Sequence, residues 1–135
     1  MLIYLFKLMR GFIWLIIFFM ISCTYLRPKQ NSMSNLTQNE WVEQLAAHPQ
    51  GIVLDVRTEE EFESGYIPNA QNIDLRMGPG FIDALESLDK EKTYFVYCRS
   101  GARSAQACQL MSQLGFTSTY NLLGGILEWE GEVIE

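Results

Sequence analysis

Thr93-Tyr94-Phe95-Val96-Tyr97-Cys98-Arg99-Ser100-Gly101-Ala102-Arg103-Ser104 is the stretch from which the fold of this chain is read. Its first five residues, aromatic and β-branched, form a strand pattern that runs straight into a cysteine. A helical pattern follows, with Ala107, Leu110, Met111 and Leu114 on one face. The cysteine therefore stands where a strand ends and a helix, starting near Ser104, begins.

This placement has a chemical meaning. The first N–H groups of a helix lack intrahelical partners, and the helix dipole makes that end positive. A loop of small residues feeding it, with Gly101 allowing the tight path, turns several N–H groups toward one point. A thiol with an ordinary pKa of about 8.5 is only ~3% thiolate at pH 7. Making most of it thiolate takes about 2.7 kcal/mol of preferential stabilisation of the anion. A helix terminus supplies about 0.3–1 kcal/mol. The loop N–H groups and the two arginines, Arg99 and Arg103, are expected to supply the rest. The alternative, a buried structural cysteine beside a helix cap, leaves the flanking arginines without a purpose.

Cys98-x-x-Gly101-x-Arg103-Ser104 resembles the active-site loop of rhodanese-type sulfurtransferases. Two further stretches agree with that family. One is Asp55-Val56-Arg57, a glutamate a few residues on, then Gly65-x-Ile67-Pro68-x-Ala70-x-x-Ile73. Here Tyr66 stands where the family often has histidine, and Asn69 where it often has glycine; asparagine tolerates positive φ better than most residues. The other is Gly124-Gly125, three residues, then Trp129. The resemblance covers residues 36–135. It implies an α/β fold with three layers, α/β/α, and a mostly parallel central sheet. Alternating strand and helix patterns independently point to such a sheet, whose ligands bind at the carboxyl ends of strands.

The resemblance also implies a reaction. Cys98 takes the outer sulfur of a donor such as thiosulfate, or of a persulfide, and becomes a persulfide itself. Cyanide or a thiol, including that of a thiol redox protein, then removes the sulfur, with ping-pong kinetics. The residues around the sulfur are Arg99, Ser100, Gly101, Ala102, Arg103 and Ser104, whose N–H groups hold the persulfide. Arg99 and Arg103 are expected to bind the sulfonate end of the donor. Asp55 and Arg57 are expected to brace the site from the neighbouring strand. No cofactor is called for. Two rivals stand beside this reading. Cysteine-type phosphatases and arsenate reductases need five residues between cysteine and arginine, and here there are four. A non-catalytic sulfur-carrier or interaction module is the other.

Composition narrows the partners. The 135 residues carry a formal net charge of −6, unevenly spread. Residues 1–36 hold Lys7, Arg10, Arg27 and Lys29 and no acidic group; the remainder holds 16 acidic and six basic groups, a net −10. An acidic body does not favour nucleic acid. His48 is the single histidine and no cysteine pair has metal-ligand spacing, so a zinc site is not expected. Cys108, on the second turn of the expected helix, reads as packing rather than as a resolving thiol.

The N-terminus reads as a leader. After Lys7 and Arg10, Gly11 to Ile21 is an uncharged apolar run of 11 residues, short of the roughly 20 needed to span a membrane. With the basic residues before it, this fits an export signal. Met20-Ile21-Ser22-Cys23 resembles a bacterial lipobox, which implies cleavage before a lipidated Cys23 and a bacterial cell-envelope location, periplasmic or membrane-anchored. An uncleaved anchor from Gly11 to Leu26, and a cytosolic protein starting near Met33, are the alternatives. Residues 1–23 are thus a leader, and 24–35 are expected to be a flexible tether. In residues 36–135, Thr37-Gln38-Asn39-Glu40 and Thr58-Glu59-Glu60-Glu61 have the form of capping boxes. Phe81 to Leu88 reads as a short helix, Arg76 as a solvated loop residue, Thr119 to Leu123 as the last strand, and Gly125 onward as a final helix.

Overall fold

Alternation along one strand organises the structure. In the computed structural model, which describes residues 32–135, Thr93–Tyr97 is the central strand. Tyr94, Val96 and Cys98 point to one side and pack with Ala107, Cys108 and Met111. Phe95 and Tyr97 point to the other and pack with Trp41, Ile67 and Leu122. Successive side chains of a strand face opposite sides, so a strand buried on both faces is apolar throughout. The same parity directs Cys98 toward the helix that follows it.

The elements are β1 (Ser32–Leu36), α1 (Gln38–Ala47), β2 (Ile52–Asp55), α2 (Glu59–Glu63), β3 (Gln71–Asn72), α3 (Pro79–Glu86), β4 (Thr93–Tyr97), α4 (Ala102–Gln113) and β5 (Ser118–Leu122). Single 3₁₀ turns occupy Leu75–Met77 and Gly125–Glu128. The five strands form one sheet in the order β1-β5-β4-β2-β3, and every pairing is parallel. Two cores lie on its two faces. The larger includes Phe81 and Leu85 of α3 and the buried face of α4; the smaller is built around Trp41 of α1. The α/β/α layering expected from the sequence is therefore the one observed, with a fully parallel sheet.

Both capping boxes form. Glu40 Oε2 accepts from the Thr37 N–H at 2.9 Å, and Glu61 Oε2 accepts from the Thr58 N–H at 3.0 Å. Asn69 has φ of 63°, the left-handed conformation expected at that position. Gly115, at φ 92°, ends α4, where its N–H and that of Phe116 bond back to Ser112 and Met111.

Three expectations are corrected. Ser32–Asn35, placed in the tether, belong to the edge strand β1. Its composition hides this: Ser, Met, Ser and Asn show no alternation, and the strand is held by backbone pairing to β5 and by the Asn121 amide, which donates to Asn35 Oδ1 at 2.8 Å. The final helix is a single 3₁₀ turn. Gly124 and Gly125 are both left-handed, at φ 76° and 58°, and the N–H groups of Ile126 and Leu127 are directed to the carbonyls of Cys98 and Arg99. Helix α4 begins at Ala102, two residues before Ser104. The leader, Cys23 and residues 24–31 lie outside the described residues.

Candidate active site

Cys98 follows β4 at the carboxyl end of the sheet and is 1% exposed. The Gly101 N–H donates to its Sγ at 3.1 Å, and the buried Ser104 hydroxyl donates at 3.3 Å. Burial pushes the thiol pKa up. The Ser104 hydroxyl, followed by the N–H groups of Ser104, Ser100 and Gly101, outweighs burial and leaves the pKa below its ordinary value. The loop thus makes the expected anion cradle, but the donors are hydroxyl and main chain. Of the two arginines expected to share this task, Arg103 interacts with the Cys98 charge, behind these nearer donors.

The backbone behind the sulfur is fixed by glycine. Gly101 stands at φ 94°, and a Cβ there would sit 3.0 Å from the Leu122 carbonyl oxygen. At Gly125 a Cβ would lie 2.5 Å from the carbonyl oxygens of both Cys98 and Arg99. With no side chain in the way, the Ile126 N–H reaches the Cys98 carbonyl at 2.9 Å and the Leu127 N–H reaches the Arg99 carbonyl at 3.0 Å. Asn121, buried on β5, donates through Nδ2 to the Gly101 carbonyl at 3.3 Å. These contacts turn the carbonyls of the loop away from the sulfur and leave its N–H groups facing it.

The two arginines differ. Arg99 is exposed and makes no ion pair among the described residues. Arg103 forms a fork with Glu61, at 2.8 Å from Nη1 to Oε2 and 2.7 Å from Nη2 to Oε1. The Arg103 hydrogen bonds outweigh the upward push of burial and hold the Glu61 pKa down at about 2. The expectation that both arginines clamp the donor is therefore altered: one guanidinium is already engaged. Ser100, in the loop, and Ala102, the first residue of α4, are exposed.

Asp55 and Arg57 form a buried pair beneath the site. Arg57 Nη2 meets Asp55 Oδ2 at 2.6 Å, Arg57 Nε lies 2.9 Å from the same oxygen, and the Arg57 N–H caps Oδ1 at 2.8 Å. Arg57 also donates to the Gly65 carbonyl at 2.7 Å, and Asn72 donates to the Asp55 and Arg57 carbonyls. The guanidinium lies 5.6 Å from the centre of the Tyr97 ring, whose hydroxyl accepts the Ile67 N–H at 3.1 Å. The pair ties β2 to the Gly65–Ile67 segment, a bracing geometry. Cys108 is fully buried, and burial pushes its thiol up to about 12. Neither cysteine is in a disulfide.

Glu61 and Asn121 are site residues that the sequence reading did not single out. Glu61 was visible as a cap, but its partner lies 42 residues away. Asn121 gives no signal in a single sequence.

A parallel sheet carrying a cysteine cradle at its carboxyl edge defines an α/β protein built around one activated thiol. Residues 38–132 match the rhodanese-like domain model, and the chain belongs to that family. It is 41% identical over 90 residues to YtwF of Bacillus subtilis, covering 67% of this chain and 84% of that protein. It is 36% identical over 98 residues to a sulfurtransferase of Allochromatium vinosum, covering 72% and 89%. The crystal structure of a rhodanese-like domain protein from Staphylococcus aureus superposes with a TM-score of 0.63 at 34% identity, over 74% of this chain and 94% of that one.

Proposed function

We propose that the protein is a sulfurtransferase that carries sulfane sulfur on Cys98, from thiosulfate or a persulfide donor to a thiol or cyanide acceptor. The supporting observation is the Cys98 sulfur itself, buried at a strand end and ringed by the Ser104 hydroxyl and the Gly101 N–H. A thiolate so held is ready without a histidine base, and His48 sits elsewhere, bonded to the Gln44 carbonyl of α1.

In the first half-reaction the thiolate attacks the outer sulfur of thiosulfate. A bond forms between Sγ and that sulfur, the bond to the sulfonate sulfur breaks, and its electron pair leaves with sulfite. The product is the Cys98 persulfide anion, with charge conserved. In the second half-reaction the acceptor attacks the terminal sulfur, and Cys98 departs as thiolate. Burial of Sγ protects the persulfide, and the loop N–H groups stabilise its charge. Asp55 and Arg57 act by bracing. Engagement of Arg103 by Glu61 also removes the arginine a phosphate-binding cysteine loop requires. The cell-envelope location read from the leader, with lipidation at Cys23, is part of the same proposal.

Intact mass measurement after incubation with thiosulfate tests it. The expected result is a gain of one sulfur atom, reversed by cyanide and absent in Cys98→Ser. No gain with thiosulfate or with an organic persulfide would overturn the reading and favour a cradle used for binding alone.

A further inference from the structure

A fork of the kind that joins Arg103 to Glu61 is the geometry with which an arginine would grip an anionic ligand. Here a protein carboxylate already fills it. Glu61 is itself anchored from the other side: its Oε2 accepts from the Thr58 N–H at 3.0 Å and the Thr58 hydroxyl at 3.2 Å. The carboxylate is thus anchored to the start of α2 independently of Arg103. Arg103 lies on the first turn of α4, and the Cys98 and Asp74 charges act on its guanidinium after that of Glu61. It is therefore within electrostatic reach of the reacting sulfur, with its charge locally cancelled. Glu59, Glu60 and Glu63 of α2 add further negative charge nearby in the chain, and Glu59, Glu60 and Glu63 are exposed.

We propose that Glu61 is a specificity-determining residue: by occupying Arg103 it withdraws one of two loop cations from donor recognition and sets the site toward sulfur donors carrying at most one negative charge. Thiosulfate, a dianion, is then a poorer donor than a singly charged thiosulfonate or persulfide of the same sulfane-sulfur chemistry. This rests on the sulfurtransferase reading for the identity of the donor, but the charge preference of the site does not.

Alkylation of Cys98 separates the two. Iodoacetate and iodoacetamide react with the same thiolate and differ by one charge, so the ratio of their rates cancels the thiolate fraction and reports only how the site receives an anion. Glu61→Gln keeps an acceptor for the capping box and exposes the Arg103 charge. The ratio should rise by roughly three- to tenfold at low ionic strength, the size expected for one uncovered charge several ångströms away, and should shrink in high salt. Arg103→Gln, which leaves Glu61 unpaired, should lower the ratio, and the double variant should return it to near the wild-type value. Cys108, buried with a raised pKa, should not react, and peptide mapping checks this. A ratio in Glu61→Gln unchanged or lower than wild type overturns the inference. Turnover with thiosulfate and with methanethiosulfonate, each with cyanide as acceptor, is measured in the same proteins. Glu61→Gln should shift preference toward thiosulfate by a similar factor, and an unshifted preference also overturns the inference. If wild type turns over neither donor, the sulfurtransferase reading falls while the alkylation ratio still decides the role of Glu61.

Discussion

Replacing Ser104 by alanine deletes one donor to the Cys98 sulfur and little else. The hydroxyl is buried and donates to Sγ at 3.3 Å, while the Ser104 and Gly101 N–H groups survive the substitution. A hydrogen bond to a charged group contributes about 1.5–3 kcal/mol. The long oxygen–sulfur reach argues for the lower end, and about 1.4 kcal/mol is a factor of ten in the thiolate–thiol equilibrium. Below the titration midpoint of Cys98 the iodoacetamide rate should therefore fall about tenfold in Ser104→Ala, whereas the plateau at high pH should stay within about twofold. The assay is the pH profile of alkylation, followed by intact mass. Stability carries the same signature. The native pKa of Cys98 lies below its ordinary value, so the thiolate stabilises the fold fully above the unfolded pKa, and this contribution is lost as pH falls through the native one. Ser104→Ala should consequently cost more stability at alkaline than at acid pH. A profile whose midpoint stays put or moves down would refute the reasoning and leave the main-chain N–H groups as sufficient.

Two further substitutions probe the supports of the loop. Gly125→Ala combines a left-handed φ with a Cβ at 2.5 Å from two carbonyl oxygens; it should cost about 2–3 kcal/mol and lower Tm by roughly 10–20 °C, and a Tm within a few degrees of wild type would show that the turn yields easily. Asp55→Asn leaves the buried Arg57 guanidinium without its counter-charge; a loss of about 3–5 kcal/mol in urea unfolding is expected, and a loss below about 1 kcal/mol would mean that the Gly65 carbonyl and the Tyr97 ring suffice.

What could be read in advance follows the range of each interaction. The strand, loop and helix around Cys98 were legible because their signals are local: five apolar residues, a small-residue turn, and a face repeating every three or four positions. The Gly101 turn and the two capping boxes were legible for the same reason. The edge strand β1 was not, because its serine, methionine and asparagine positions show no alternation and pair with β5 chiefly through main chain, which any sequence can do, and its Asn35 side chain meets a partner 86 residues away. The short final turn was misread because the N–H groups of Ile126 and Leu127 go to the Cys98 loop rather than into a continuing helix. The fate of Arg103 was hidden for a sharper reason. A capping-box glutamate and a loop arginine each have a sufficient local role, and nothing in one chain says that the same carboxylate serves both.

The diglycine turn separates the shape of the Cys98 loop from its chemistry. The loop is gripped by its carbonyls, through Ile126, Leu127 and Asn121, and by the buried positions Cys98, Gly101 and Ser104. Arg99, Ser100 and Ala102 point outward and take no part in that grip through their side chains. Three side chains at the rim of the cradle are thus free to vary while the main chain beneath them keeps its course. A donor-binding surface could be rewritten at those three positions, by selection or by design, without reopening the question of how the thiolate is held.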